Sequence, residues 1–304
     1  MKQRIRVGVF VIAVLLSSEA RAQLVKSGLS FLKLGAGADA IGRGDALVAG
    51  PAAAQAIFYN PAALGDAERA SLMVMHNESI IDVRNDVLGA NLPMGDWALG
   101  FGLQATTVAG IEVRDNASAQ PIGTFTSIEG ALSFGASYAA TNELSLGLTA
   151  KALIEKIYTN DAVGGAIDLG ARYRPVQSPW AFGLVLQNLG SMGKLENESI
   201  TLPTMVRGAV SYAGGFGTAR EFAYVAEAGA DKTFADDGMH ARAGGQIAYD
   251  NMLFARLGVK TGYESGMFTA GLGFRWRFIQ LDYAVQPYAQ SYGTGHAFSM
   301  NIGL

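Results

Sequence analysis

Half of the residues in this chain are hydrophobic, yet beyond residue 22 no uninterrupted apolar run approaches the roughly 20 residues a membrane-crossing helix needs. The apolar residues are instead dealt out at every second position. In Glu143–Lys156, Leu144, Leu146, Leu148, Ala150, Ala152 and Ile154 share one phase, and Ser145, Gly147, Thr149, Lys151, Leu153 and Glu155 share the other. In Phe268–Trp276 the phases are Phe268, Ala270, Leu272, Phe274, Trp276 against Thr269, Gly271, Gly273, Arg275. A period of two places each set on its own side of a β-sheet. A closed transmembrane barrel hides a high apolar content in just this way.

A soluble sandwich also alternates, so the chemistry of the second face decides. That face is glycine, alanine, serine and threonine with single charges inserted, where a soluble outer face is denser in Lys and Glu. Charged residues make up 16% of the chain, below the usual figure of about 25%. The inserted charges Asp168, Arg172, Glu227, Arg242, Arg256 and Asp282 are candidate lumen residues, as are Arg207, Asp231, Lys260 and Arg275. They either pair across the lumen and hold whatever fills it, or line a solute path. Trp97, Tyr173, Trp180, Tyr249, Tyr263, Trp276 and Tyr283 close the apolar phase of their segments and suit an interfacial aromatic girdle.

The alternating segments give an all-β, antiparallel barrel of about fourteen strands: 70–78, 86–93, 96–107, 126–140, 143–158, 163–174, 179–189, 203–213, 220–232, 239–249, 252–262, 266–275, 277–287 and 294–304. The count is even, as bacterial single-chain barrels require. Connections at one end, such as Pro93–Gly95, Asp250-Asn251 and Trp276-Arg277, are short and read as periplasmic; 107–125 and 190–202 read as long external loops.

Ahead of the barrel, Lys2, Arg4 and Arg6 precede an apolar stretch Val7–Leu16 and the small-residue site Ala20-Arg21-Ala22, the pattern of a signal peptide over residues 1–22. Removing its four basic residues and one acidic residue leaves 19 basic against 25 acidic, which excludes a nucleic-acid surface. There is no cysteine, hence no disulfide and no lipidated N-terminal cysteine. Residues 23–68 are glycine- and alanine-rich and break at Asn60-Pro61, because proline removes a donor and disfavours helix before it. Fourteen strands enclose more space than their own side chains fill, which about eight strands suffice to do. Residues 23–68 are therefore expected to fold as a short helical plug inside a barrel built from 69–304.

The N-terminal stretch SFLKLGAGADAIGRGDALVA, residues 30–49, followed by YNPAAL, residues 59–64, resembles the PorV/PorQ family of outer-membrane proteins, related to FadL-type barrels. The motif falls on Phe31-Leu32, Gly42, Gly44-Asp45-Ala46 and Tyr59-Asn60-Pro61-Ala62, with Arg43 where the family more often carries an apolar residue. The likeness continues through the strands, as in GLGFRWRFIQLDYAVQP at 271–287, and covers the mature chain. It implies a bacterial outer-membrane barrel with an N-terminal hatch. In function it implies an accessory to type IX secretion or surface attachment that binds secreted cargo and secretion-system components. The alternative it implies is a FadL-like channel for hydrophobic small molecules.

A partner surface is expected on the external loops, with Ile111, Val113, Ile122 and Phe125 as apolar contacts and Glu196 and Glu198 as acidic ones. Gly164-Gly165 and Gly244-Gly245 are candidate weak points for a lateral wall opening. Arg43-Gly44-Asp45 spells an adhesion tripeptide by coincidence. His76, His240 and His296 lie far apart with no serine–acid grouping and no ligand spacing, so neither an enzyme, a metal site nor a cofactor is indicated.

Overall fold

In lipid every strand must find a partner on both sides, and this chain finds them by closing on itself. The computed structural model describes residues 27–79, 82–114, 120–217, 221–236, 238–263, 267–289 and 293–304; the signal segment 1–22 lies outside the described residues. The strands are β1 (Ser71–Glu78), β2 (Val83–Met94), β3 (Trp97–Val113), β4 (Gly123–Ala139), β5 (Leu144–Ile157), β6 (Asn160–Tyr173), β7 (Trp180–Met192), β8 (Lys194–Leu195), β9 (Glu198–Ser199), β10 (Met205–Phe216), β11 (Phe222–Thr233), β12 (Met239–Tyr249), β13 (Leu253–Thr261), β14 (Phe268–Trp276), β15 (Ile279–Pro287) and β16 (Thr294–Gly303). β8 and β9 form a small separate hairpin, and the other fourteen make a closed antiparallel barrel in which β1 pairs with both β2 and β16. The fold is that of an outer-membrane β-barrel.

The two phases of the sequence become the two surfaces of the wall. Leu257 and Leu272 are 71% and 65% exposed on the outside, while Thr149 and Asp168 are fully buried inside. Rings gather at the end with short connections: Trp97 on Tyr138, Trp180 on Tyr212, Phe216 on Phe222 and Phe222 on Tyr249, with centroids 4.7–5.1 Å apart. This girdle and those turns identify the periplasmic end. Tyr263 departs from the expected girdle. It stacks on His240 at 4.1 Å and receives a hydrogen bond from Arg242, so it belongs to the lumen.

Most of the described residues of the expected external loop 107–125 are strand. β3 and β4 continue upward as a hairpin in which Ile111 faces Phe125 and Val113 faces Gly123. The alternating β-branched run Thr107, Val108, Ile111, Val113 sustains pairing through one register shift between Val108 and Ile111, where Gly110 takes φ 72°. Ile122 sits at the top of this hairpin, 66% exposed.

The described N-terminal residues run down the lumen. Two 3₁₀ turns (Ser30–Lys33 and Pro61–Asp66) flank α1 (Ala38–Gly42) and α2 (Ala56–Tyr59). α2 ends where proline dictates. Asn60 is extended at φ −155° and its Oδ1 accepts from the Ala62 N–H at 3.1 Å, capping the next turn. The buried clusters join this segment to the wall: Phe31 and Leu29 with Leu153 and Leu202, and Ile57 and Leu64 with Ala98.

Small residues set the distance between plug and wall. A Cβ on Gly258 would lie 2.2 Å from the Gly44 nitrogen, and one on Gly244 would lie 2.0 Å from the Arg43 carbonyl oxygen. Gly44 itself has φ 72°, a conformation that a side chain strains. Gly258→Val is expected to push the plug off its seat at a cost of about 1–3 kcal/mol. Denaturant unfolding in lipid vesicles measures that loss, and an unchanged midpoint argues against the close seat.

Candidate functional site

One short piece of plug separates an upper hollow in the lumen from a lower one. The upper, of about 440 Å³, is open toward the external end and lined by Leu34, Ile41, Asp45, Arg242, Lys260 and Tyr288 among others. The lower, of about 240 Å³, lies on the periplasmic side against Asp39, Arg43, Gln55, Phe254 and Arg256. Asp39 and Arg43 face one chamber while Ile41 and Asp45 face the other. The five-residue helix α1 and the turn after it are thus the partition. A larger hollow of about 790 Å³ is lined mainly by lipid-facing side chains such as Tyr224, Ile247, Leu257 and Leu272, so it belongs to the outer wall.

Ion pairs hold the partition. Lys260 Nζ meets Asp45 Oδ2 at 2.5 Å, Tyr59 donates its hydroxyl to Asp45 Oδ1 at 2.9 Å, and Arg207 donates to the Asp45 carbonyl at 3.1 Å. Arg43 binds Glu227 on the wall at 2.9 Å and Asp39 within the plug at 3.2 Å; Gln55 also donates to Asp39 at 2.8 Å. Gly44 N–H donates to Thr269 Oγ1 at 3.1 Å. Lower down, Arg172 ties Asp66 at 2.5 Å and donates to the Ala49 carbonyl at 2.8 Å. Burial by itself pushes the Asp45 carboxyl up, but the Lys260 ammonium and then the Arg242 guanidinium outweigh it and hold it at about 2.

Each of the six candidate lumen charges lies inside the barrel in an ion pair. Asp168 pairs with Lys151 at 2.8 Å, Arg172 with Asp66, Glu227 with Arg43, Arg242 with Asp231 at 3.0 Å, and Arg256 with Asp282 at 2.8 Å. The plug-motif residues occupy the partition and its supports. Phe31 is buried under Leu202, with Leu32 packed at the edge of the same cluster. Gly42, Gly44, Asp45 and Ala46 form the seated turn, while Tyr59, Asn60, Pro61 and Ala62 lie against the wall. The tripeptide Arg43-Gly44-Asp45 is buried, so no adhesion partner reaches it. Asp39 and Asp66 are plug partners that the plug motif does not include; the signal for them is that a buried acid needs a cation.

The external residues do not form one surface. Glu196 is at the tip of the β8–β9 hairpin at φ 54°, receives Asn160 Nδ2 at 2.8 Å, and is followed by exposed Glu198. The chain after it turns inward. Ile200 and Leu202 pack over Leu29 and Phe31, and the Gly28 N–H donates to the Thr201 carbonyl at 3.0 Å. Ile111, Val113, Ile122 and Phe125 are on a different hairpin, where Phe125 packs on Tyr158 at 5.4 Å.

Neither glycine pair opens the wall. Gly244-Gly245 is paired on both sides, opposite Glu227 and Ala226 and opposite Gly258 and Leu257. Gly164-Gly165 is paired too, but beside it the β6–β7 register shifts between Ile167 and Leu169. There Asn188, at φ 58°, donates its backbone N–H to Asp168 at 2.8 Å. The three histidines contact Asp86, Asp231 and Tyr283 separately, and the described residues hold no grouping of three or more metal-ligating side chains.

Several solved outer-membrane proteins share this architecture. The CymD monoaromatic hydrocarbon channel superimposes with a TM-score of 0.62 at 14% identity, covering 89% of this chain and 98% of CymD. The Ralstonia pickettii toluene transporter TbuX gives 0.59 at 12% identity over 89% and 98% of the two chains. A Pseudomonas aeruginosa FadL homologue gives 0.51 at 12% over 87% and 97%. Likeness at these identities establishes the fold: a FadL-like outer-membrane barrel. No family model matches the chain, and no curated protein matches it in sequence.

Asp45→Asn is expected to leave Lys260 buried without its carboxylate, at a cost of about 3–5 kcal/mol. Limited proteolysis should then cut the plug while the barrel stays whole, and full protection would contradict the latch. The native latch carries its own pH signature. Because the folded carboxyl sits at about 2 against an ordinary 3.8, its stabilisation is complete above pH 3.8 and is lost as pH falls through 2. Plug protection should therefore persist at pH 5 and fade only in that acid window.

Proposed function

We propose that this protein is a gated outer-membrane channel for small hydrophobic molecules, with α1 and the turn after it as the gate. The observation that carries the proposal is a plugged fourteen-strand barrel that matches a monoaromatic hydrocarbon channel and a toluene transporter over nearly their full lengths. A fold hosts many functions, so the geometry has to agree. It does: an external chamber large enough for a small ring leads to a partition held by side-chain latches, and a second chamber waits beneath it. Passage then requires Asp45 to exchange Lys260 and Arg43 to exchange Glu227 as the turn moves, which costs far less than opening a strand ladder in lipid.

A role in type IX secretion, binding secreted cargo, has behind it the motif at Phe31-Leu32 and Tyr59–Ala62. The solved neighbours add nothing to it, and the external segment 200–202 is engaged on the plug.

Initial uptake of labelled toluene should rise several-fold when the protein is made in cells whose own hydrocarbon channels are deleted and whose outer leaflet is intact. Uptake equal to the empty control, with secreted proteins co-purifying with the barrel, would remove the channel reading in favour of the secretion one.

A further inference from the structure

At the periplasmic mouth Asp66 meets Arg172 and Arg174 on the β6–β7 side of the wall, whereas the side formed by β14–β16 carries basic residues. A hollow of about 520 Å³ there is lined by Arg69, Arg275 and Arg277 and by no acidic residue. It continues into the chamber beneath α1 through shared residues Ala53, Arg275, Gln280 and Asn301. Elsewhere in the lumen Arg43, Arg172, Arg242 and Arg256 each meet a carboxylate. Arg275 is half-buried, lies 5.1 Å over the Phe254 ring, and makes its side-chain hydrogen bonds to amide oxygens: Gln280 Oε1 at 3.0 and 2.6 Å and Asn251 Oδ1 at 3.1 Å. A desolvated guanidinium favours an anion over an amide, and planar phosphate recognition is what its fork suits.

Arg277 adds a backbone observation. It occupies the left-handed first position, φ 56°, of the two-residue turn between β14 and β15. Glycine takes such a position without strain, and this chain uses 39 glycines, so the arginine side chain is what the position gains. Its guanidinium lies 5.1 Å over the Trp276 ring, within the periplasmic girdle. Phe278 and Ile302, which complete the mouth, face outward at the same level, so the hollow opens toward the membrane boundary as well as the lumen.

We infer that the arginines at this mouth bind the phosphate of an anionic phospholipid from the periplasmic leaflet, with its tail lying against Phe278 and Ile302. Position supports the lipid as the source: a basic pocket at the girdle meets headgroups at their own depth. Arg69 and Arg277 close on the phosphate from the exposed side, and Arg275 receives it from within.

The test is native mass spectrometry of the purified full-length barrel after reconstitution in mixed phosphatidylglycerol and phosphatidylcholine nanodiscs. The wild-type protein should retain phosphatidylglycerol in preference, and the preference should fall about fivefold for each arginine removed in Arg69→Gln and Arg277→Gln. Both side chains are exposed, so these variants keep the fold, and Arg275→Gln adds the buried member. Equal retention of the two lipids, or a preference unchanged in the Arg69→Gln/Arg277→Gln double variant, overturns the inference. Displacement of the lipid by equimolar inorganic phosphate overturns it too, since that is a free-anion site. None of these readouts depends on hydrocarbon uptake.

Discussion

Hydrocarbon offers the backbone no hydrogen bonds, and that single fact drives the rest of this structure. Every strand must be paired on both edges, so β1 returns to β16 and the sheet has no free edge inside the membrane. Closure at fourteen strands fixes a lumen wider than its own side chains can fill. The excess volume must then be filled or left as a pore. Here it is filled, by a segment whose glycines and alanines let it sit within van der Waals reach of glycines on the wall.

That plug is held differently from a protein core. Its apolar contacts fix depth, but its register comes from charges on both surfaces: Asp45 on Lys260, Arg43 on Glu227, Asp66 on Arg172. Buried pairs contribute little net stability when intact, yet breaking one leaves an uncompensated charge, so they fix one position sharply. Arg43, the residue that departs from the PorV/PorQ pattern, is the one clasped by both Glu227 and Asp39. The departure is matched by an acid on the wall.

Much of this was legible in the sequence, for a physical reason. Alternation is a property of neighbours along the chain, and the two faces of a strand follow from it without knowledge of anything distant. Leu153 on the polar phase shows the limit: period assigns it to the lumen, but only the plug's Leu29 and Phe31 explain why a leucine is there. Period two puts Tyr263 on the outward phase with the girdle aromatics, but it lies beyond the end of β13, after Gly262 at φ 86°, and its ring meets Arg242 and His240. The stretch 107–125 reads as a long external loop between two alternating segments, whereas one bulge between Val108 and Ile111, with Gly110 in it, lets the same ladder continue above the membrane.

The amino-acid order by itself determined that this chain is a barrel, which of its residues face lipid, and that its first helical pieces end at Asn60-Pro61. These follow from local rules: a period of two, and a proline without a donor. Which charge meets which was decided only by the tertiary structure. Asp45 and Lys260 are 215 residues apart, and Arg43 and Glu227 are 184 apart. Strand tilt and closure set the height at which each wall residue stands, and the depth of the plug sets what stands opposite. The partition, the chambers on either side of it and the arginine mouth are all consequences of those heights, which no stretch of sequence contains.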